Sequence, residues 1–287
     1  EKNADEKRPV ASVTKLMTIL LVLEALDEGK ITLEQEVTVS KAAAGMGGSQ
    51  ALLDAGGIYP LSELLKSLII ASANDSAVAL AELLMGSEEN FAAAMNRRAQ
   101  ELGLNDTHYV NASGLPAEGQ YTTARDVAEL SREVLKHPTY FEYSGIWMDE
   151  IVHKGGRVTQ LVNTNRLIRF YDGATGLKTG TTDAAGHCLC ATATRDGLSL
   201  ISVIMGCKSS DARFEESRQL LDYGFANYAL VSAEMPEPLQ PVPVTLGQKA
   251  AVQPELQQAA PILIEKGVQA AVTRTVTLAE RVEAPVA

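Results

Sequence analysis

The sequence predicts an α+β fold, a helical cluster joined to an antiparallel sheet that its C-terminal half supplies. Three observations predict it. Residues 12–28 are apolar nearly all round (Leu16, Met17, Ile19, Leu20, Leu21, Val22, Leu23, Leu26), the pattern of a buried central helix. Further apolar helical runs fill residues 61–136. Two β-rich runs, 186–194 and 198–206, flank Asp196-Gly197, a dipeptide that favours a two-residue hairpin turn.

Each element has a local reason. Gly29 stops the first helix. The apolar runs at 61–70 and 74–85 read as two more helices, and 88–102 as another that ends near Gly103. Thr123 is a candidate N-cap for a helix over 123–136, which His137-Pro138 closes. Lys178-Thr179-Gly180 lies just upstream of the hairpin and is expected in an adjacent strand. The last long helix fits 211–228. Composition shifts after Leu230, where Pro236, Pro238, Pro241 and Pro243 mark a linker or irregular strand edges. Short β-like runs follow at Val242–Leu246 and Val272–Leu278. Two domains are expected, 1–230 and a partial β-rich domain over 231–287.

The 287 residues are 46% apolar, enough for a large core, and carry a net charge of −11. An acidic chain without a basic cluster argues against nucleic acid and against a polybasic membrane patch. No run of 18 apolar residues is present, so no transmembrane helix is expected. The chain opens at Glu1 without Met and shows no signal peptide, which reads as a mature or trimmed chain. The three cysteines, Cys188, Cys190 and Cys207, give no disulfide framework and read as small buried residues. The four histidines (His108, His137, His153, His187) lack metal-binding spacing, so neither a metal nor a cofactor is expected.

Three short motifs stand in one order: Ser12-Val13-Thr14-Lys15, Ser72-Ala73-Asn74 and Lys178-Thr179-Gly180-Thr181. Each is the sole instance of its pattern in the chain. Alone, the first would be an N-cap with a solvated lysine, the second a helix cap, and the third a surface strand edge. Together they supply a nucleophile, a base, a proton relay and an anion site. Ser12 and Lys15 share a helix face. Lys15 is a base only when neutral. An ordinary lysine titrates at about 10.4, and bringing it to roughly 7–8 takes about 4 kcal/mol. Burial and a second cation both push that way, and Lys178 is the obvious second cation. The helix N-terminus at Ser12 offers free N–H groups to an oxyanion.

The chain resembles the low-molecular-mass penicillin-binding proteins, the serine-type D-alanyl-D-alanine carboxypeptidases of peptidoglycan metabolism. The resemblance runs from about Lys2 to Val231. It rests on Asn3-Ala4-Asp5, Pro9 to Thr18, Gly48-Ser49, Ser72-Ala73-Asn74-Asp75, Leu102-Gly103-Leu104, the Gly119 to Asp126 run, Gly176 to Thr181, and Arg213 to Ser217. It implies a β-lactamase/transpeptidase-like catalytic domain over 1–230. It makes Ser12 the acylated nucleophile, Lys15 its base, Ser72 the proton shuttle and Asn74 a holder of the substrate backbone. It gives the terminal carboxylate to Lys178, Thr179, Thr181 and Arg213, and the oxyanion hole to the backbone N–H groups of Ser12 and Thr181. The implied partners are a stem peptide ending in D-Ala-D-Ala and β-lactams as covalent inhibitors, at the cell envelope outside the cytoplasm. Membrane association would come only through segments outside this chain. The family also places a strand pair before the S-x-x-K helix, and its lack would leave an open edge near Leu198–Met205.

Three functions compete: a carboxypeptidase, a class A-like β-lactamase, and a non-enzymatic penicillin-recognising sensor or wall-binding module. The Gly119–Asp126 segment and the β-like tail favour the first. Glu101-Leu102-Gly103-Leu104-Asn105 matches the E-x-x-L-N letters of class A β-lactamases, but reads here as a helix end with Gly103 at C′. Gly173 to Thr179 lacks the glycine that a phosphate loop needs before its lysine. Gly45-Met46-Gly47-Gly48 reads as a loop near the site.

Overall fold

Helix α1 (Lys15–Asp27) is where the sequence is most apolar, and all but a few of its residues are buried. The computed structural model describes residues 1–231, 238–255, 261–267 and 275–285. They divide into two units, Glu1–Arg195 with Ser199–Asp222, and Asp196–Leu198 with Tyr223–Ala287.

In the first unit the helix expected from residue 12 opens as a 3₁₀ turn, Ala11–Thr14, and becomes α-helical only at Lys15. Ala11 has φ +49°, so the chain cannot enter the helix smoothly, and the tighter turn absorbs the entry. Strands β1 (Glu36–Thr38) and β2 (Ile58–Pro60) pair antiparallel around the short helix α2 (Lys41–Ala44). Helices α3 (Leu61–Ile70), α4 (Asn74–Met85) and α5 (Glu88–Glu101) follow, with Ser87 capping α5 through its hydroxyl. Gly86 stops α4 in the left-handed region. Helix α6 (Ala124–Val134) is capped by Thr123, as the sequence suggests.

Pro138 was expected to close the α6 segment. It also opens helix α7 (Pro138–Ser144), because proline at the first helical position loses no internal hydrogen bond. The hairpin of β3 (Met148–Val152) and β4 (Val158–Val162) was likewise not anticipated. Each strand buries only one residue, Ile151 or Leu161, which leaves a weak alternation signal. After the short helix α8 (Leu167–Phe170) come β5 (Ala174–Thr182), β6 (Gly186–Arg195) and β7 (Leu198–Cys207), in sheet order β5-β6-β7. Asp196 and Gly197 both take positive φ, the conformation that a type I′ hairpin turn requires. Among the described residues β7 is an edge strand, where the sequence places the open edge. Helix α9 (Ser210–Asn227) follows β7.

In the second unit β8 (Tyr228–Val231) pairs antiparallel with β11 (Ile262–Glu265), and β9 (Val242–Thr245) lies between β10 (Ala251–Val252) and β12 (Val282–Glu283). The expected run at Val242–Leu246 forms β9. Of Val272–Leu278, residues 272–274 lie outside the described residues, as does Pro236, and 275–278 are not strand. All three cysteines are buried and free. No helix among the described residues is long and apolar enough to cross a membrane.

Leu20 is fully buried in α1 and Leu21 only partly. Leu20→Ala is expected to lose about 2–5 kcal/mol in urea unfolding, and Leu21→Ala clearly less.

Candidate active site

The 3₁₀ turn that leads into α1 puts Ser12 and Lys15 side by side, with Lys15 Nζ 2.9 Å from Ser12 Oγ. Ser12 is partly open to solvent while Lys15 is fully buried, so a ligand can reach the hydroxyl but water does not surround the amine. Lys15 Nζ also donates to Asn74 Oδ1 and to the Ser113 carbonyl oxygen, both at 2.5 Å. An ammonium has three donors, and here each finds an acceptor. Burial pushes the Lys15 pKa well below the ordinary lysine value. The charge of Lys178 adds to that, and Asp75 opposes it.

The Ser113 carbonyl was not foreseen from the sequence. It arrives on a loop that α1 grips twice, since Thr18, three residues after Lys15, donates to the Ala112 carbonyl at 2.7 Å. Asn111 folds this loop by accepting from Gly114 N–H, and Gln120 accepts from Val110 and Asn111 N–H. The readable signal was Asn111-Ala112-Ser113-Gly114, an Asx-type turn.

Two glycines admit the Ser12 turn. A Cβ on Gly114 would sit 2.0 Å from the Ala11 carbonyl oxygen, and one on Gly180 would sit 2.3 Å from that of Val10. The Gly180 position is also only 3.1 Å from Ser12 N. Strand β5 therefore runs against the Ser12 turn at Gly180-Thr181, which brings the first and third motifs together.

The second motif lies where α3 gives way to α4. Ser72 has φ +62° and a buried Oγ without a protein hydrogen-bond partner. It does not cap α4, whose N-cap is Ala73, and it is not bonded to Lys15. Asn74 bonds to Lys15 with its oxygen and to the Gly47 carbonyl with its nitrogen, so the glycine loop does lie at the site. Asp75, fully buried, accepts from the N–H groups of Ala51, Leu53 and Ser76, each at 3.0 Å. Nothing local to Asp75 announces this role; a carboxylate after S-x-N at a helix start is the readable signal.

On β5, Lys178 is 1% exposed. Among the described residues its Nζ donates only to the Thr179 carbonyl, at 3.3 Å. Burial, then the charge of Arg213, pushes its pKa down to about 7. Thr179 Oγ1 donates to Thr164 Oγ1 at 2.8 Å, a further residue the sequence did not flag. Asn163 and Asn165 fix the segment that carries Thr164, through Ser144, Ile146 and Gly176 carbonyls. Arg213 is buried rather than paired with Glu215 or Glu216 on the surface. Its Nη1 donates to Thr181 Oγ1 at 2.9 Å and to the Gly180 and Cys188 carbonyls. Lys178 and Arg213 thus flank the end of β5, while Thr181 itself is exposed. Glu101 stays outside this constellation; its carboxylate accepts from Arg98 at 3.0 Å on α5, followed by Gly103 at φ +73°. Among the described residues no group of three metal-ligating side chains forms.

A partly exposed serine hydroxyl, a buried lysine amine and a cationic strand end thus stand together at the junction of helices and sheet. The family model for D-alanyl-D-alanine carboxypeptidases, peptidase S11, matches residues 1–209. The chain belongs to this family. It is 43% identical over 227 residues to the D-alanyl-D-alanine carboxypeptidase DacF of Bacillus subtilis, covering 79% of this chain and 58% of the relative. It is 40% identical over 248 residues to DacC of Escherichia coli, covering 83% and 60%. The chain thus spans under two thirds of these relatives' length. Among solved structures, penicillin binding protein 5 from Haemophilus influenzae superposes with a TM-score of 0.79 at 31% identity, covering 99% of this chain and 84% of that one. DacD from Francisella tularensis gives 0.77 at 30%, covering 92% and 77%. The fold is the β-lactamase/transpeptidase fold of these proteins, so the α+β expectation holds.

A buried lysine without a carboxylate partner opposes folding. The unfolded chain holds the Lys178 proton up to about pH 10.4, and the folded one releases it near 7. Folding therefore loses stability as pH falls from about 10 to 7 and no further below. Lys178→Met is expected to raise the melting temperature at pH 7 and to flatten its rise between pH 7 and 9.

Proposed function

We propose that this protein is a serine D-alanyl-D-alanine carboxypeptidase acting on peptidoglycan stem peptides through an acyl-enzyme. The observation that carries the reading is the Lys15 amine, buried and 2.9 Å from a partly exposed Ser12 hydroxyl. Asn74 Oδ1 and the Ser113 carbonyl cannot donate hydrogen bonds. In the neutral amine they hold the two N–H groups, and the lone pair is left facing Ser12 Oγ. The Ser12 proton passes to Lys15 as Oγ attacks the carbonyl carbon of the penultimate D-alanine. The new oxyanion takes the backbone N–H groups of Ser12 and Thr181, for which the close approach of Gly180 to Ser12 N is the support. Ser72, with its unpartnered hydroxyl beside Asn74, relays the proton from Lys15 to the departing D-alanine amine. Water then cleaves the ester and regenerates Ser12. Asn74 also offers its amide to the peptide backbone.

Lys178, Thr179 and Thr181 bind the terminal carboxylate, and Arg213 holds Thr181 in place while adding positive charge. Penicillin acylates the same serine and acts as a covalent inhibitor. The implied place of action is the cell envelope, outside the cytoplasm.

Turnover of a D-Ala-D-Ala peptide, run beside a chromogenic β-lactam, tests the reading. D-alanine is expected to be released repeatedly and the β-lactam to yield one slowly released adduct, mapped to Ser12. The C-terminal amide of the same peptide should show a much lower kcat/KM. Fast β-lactam turnover without D-alanine release, or an adduct that survives Ser12→Ala, would refute it.

Lys15→Arg keeps the charge but cannot deprotonate. Its penicillin acylation rate is expected to fall about 10²–10⁴-fold with the fold retained, read by intact mass and circular dichroism. In the wild type, acylation should rise with pH as Lys15 loses its proton, at a pH well below that of an ordinary lysine.

A further inference from the structure

One buried titratable group plays no part in this chemistry. His153 follows β3, and its side chain is fully buried. Its Nδ1 is 2.7 Å from Tyr59 OH, its Nε2 is 2.8 Å from Thr159 Oγ1, and the Tyr59 ring meets it edge-on. Tyr59 OH already accepts from Asp54 N–H at 3.2 Å. The tyrosine's own proton then goes to the nearer of two acceptors, His153 Nδ1 rather than Asp54 Oδ2 at 3.4 Å. So Nδ1 is bare, and Nε2–H donates to Thr159, which fixes a neutral tautomer.

The groups facing His153 agree. Arg157 donates to Asp54 Oδ1 and to the Leu52 carbonyl, both at 2.7 Å. Burial first, then the Arg157 charge, lowers the His153 pKa below the ordinary imidazole value, while Asp54, 3.9 Å from Nδ1, and Asp75 oppose them.

The network ends at the catalytic constellation. Tyr59 and Arg157 hold residues 52–54 from one side, and Asp75 holds the N–H groups of Ala51 and Leu53 from the other. Upstream, Ser49 and Gly47 give their carbonyls to Asn74 N–H and Asn74 Nδ2. Asn74 Oδ1 in turn holds Lys15. The segment is strained as well as clamped, with Leu52 at φ +59°.

We propose that neutral His153 is a positioning residue for the Ser12–Lys15 site: through Tyr59 it fixes residues 47–54, which fix Asn74, and its protonation slows acylation by releasing them. A protonated imidazole turns Nδ1 into a donor. Tyr59 can no longer donate there, and Asp54 becomes the competing partner of Nδ1. The 52–54 turn loses the geometry in which Asp54 N–H and the Arg157 guanidinium hold it. This inference rests on the proposed acylation by Lys15, whose own protonation also lowers the rate, so the two protons must be separated.

His153→Asn separates them, because its Oδ1 stands near the Nδ1 position, accepts a hydrogen bond and does not titrate. Penicillin acylation rate constants are measured against pH for the wild type, His153→Asn and Tyr59→Phe. On the acid side, below the ordinary imidazole range, the wild type is expected to fall more steeply than both variants, the extra loss being no larger than the one Tyr59→Phe shows at pH 8. At pH 8 His153→Asn should stay within about threefold of wild type, and Tyr59→Phe, which loses the hydrogen bonds to both Asp54 N–H and His153, should fall about tenfold or more. Identical pH profiles for all three proteins overturn the proposal.

A second readout needs no activity. Hydrogen exchange of the Ala51 and Leu53 amides, corrected for intrinsic rates, should lose protection as pH falls in the wild type and not in His153→Asn. Unchanged protection in the wild type also overturns the proposal. A wild type that penicillin never acylates, yet whose protection still falls with pH, would refute the carboxypeptidase reading and leave the coupling standing.

Discussion

The burial of the Lys15 amine is the constraint on which the rest of this structure depends. A lysine in water is an ammonium and no base. Taking it out of water favours the neutral form, but an amine with no partners would be a buried unsatisfied group. The protein resolves the conflict with acceptors that carry no formal charge: a hydroxyl, a side-chain amide and a backbone carbonyl. A carboxylate at the same place would have raised the pKa and kept the amine charged. Asp75 is near enough to act on Lys15 electrostatically, but its oxygens are turned to the backbone N–H groups of Ala51, Leu53 and Ser76. Lys178, from the strand side, works in the opposite sense.

That requirement shapes the packing around α1. The three acceptors come from sequence positions as far apart as 12, 74 and 113, so the 3₁₀ turn before α1, the start of α4 and the loop after α5 must converge within hydrogen-bond distance. The apolar surface around α1 supplies the drive, and glycine supplies the clearance. Gly114 and Gly180 approach the Ser12 turn so closely that any side chain at either would collide with backbone. Strain concentrates in the same region, with positive φ at Ala11 and Ser72, neither of them glycine. Such conformations persist where the surroundings over-determine them, as a rigid core on α1 does.

The sequence makes the ends of this arrangement legible and hides its middle. Helix α1, the β6–β7 hairpin and the three motifs follow from periodicity, turn chemistry and order, because each is a local pattern. The family resemblance then identifies the fold that joins them. Ser113, Asp75 and Thr164 stay hidden because they act through a backbone carbonyl or a contact made only after folding, and no residue type announces that. Pro138 misleads for a related reason: the same residue ends one helix and begins the next, and only α7 shows which role prevails. The β3–β4 hairpin is faint because each of its strands buries a single apolar side chain, and so is the placement of His153 behind it.

The charge distribution resolves an apparent contradiction between composition and site. The chain carries a net −11, yet two buried cations, Lys178 and Arg213, stand together near the end of β5. The acidic residues lie mostly in water, where salt screens them beyond about 8 Å at physiological ionic strength. Lys178 and Arg213 are buried beside the strand edge, where screening is weak; burial lowers the pKa of both, and the charge of Arg213 lowers that of Lys178 further. Their attraction for an anion is therefore short-ranged and strong, and the surface charge neither supplies nor cancels it. The same burial makes Lys178 hard to keep charged. A negative charge beside Lys178 would offset both the desolvation and the repulsion from Arg213, so the fold holds this ammonium at a cost that only an anion can relieve.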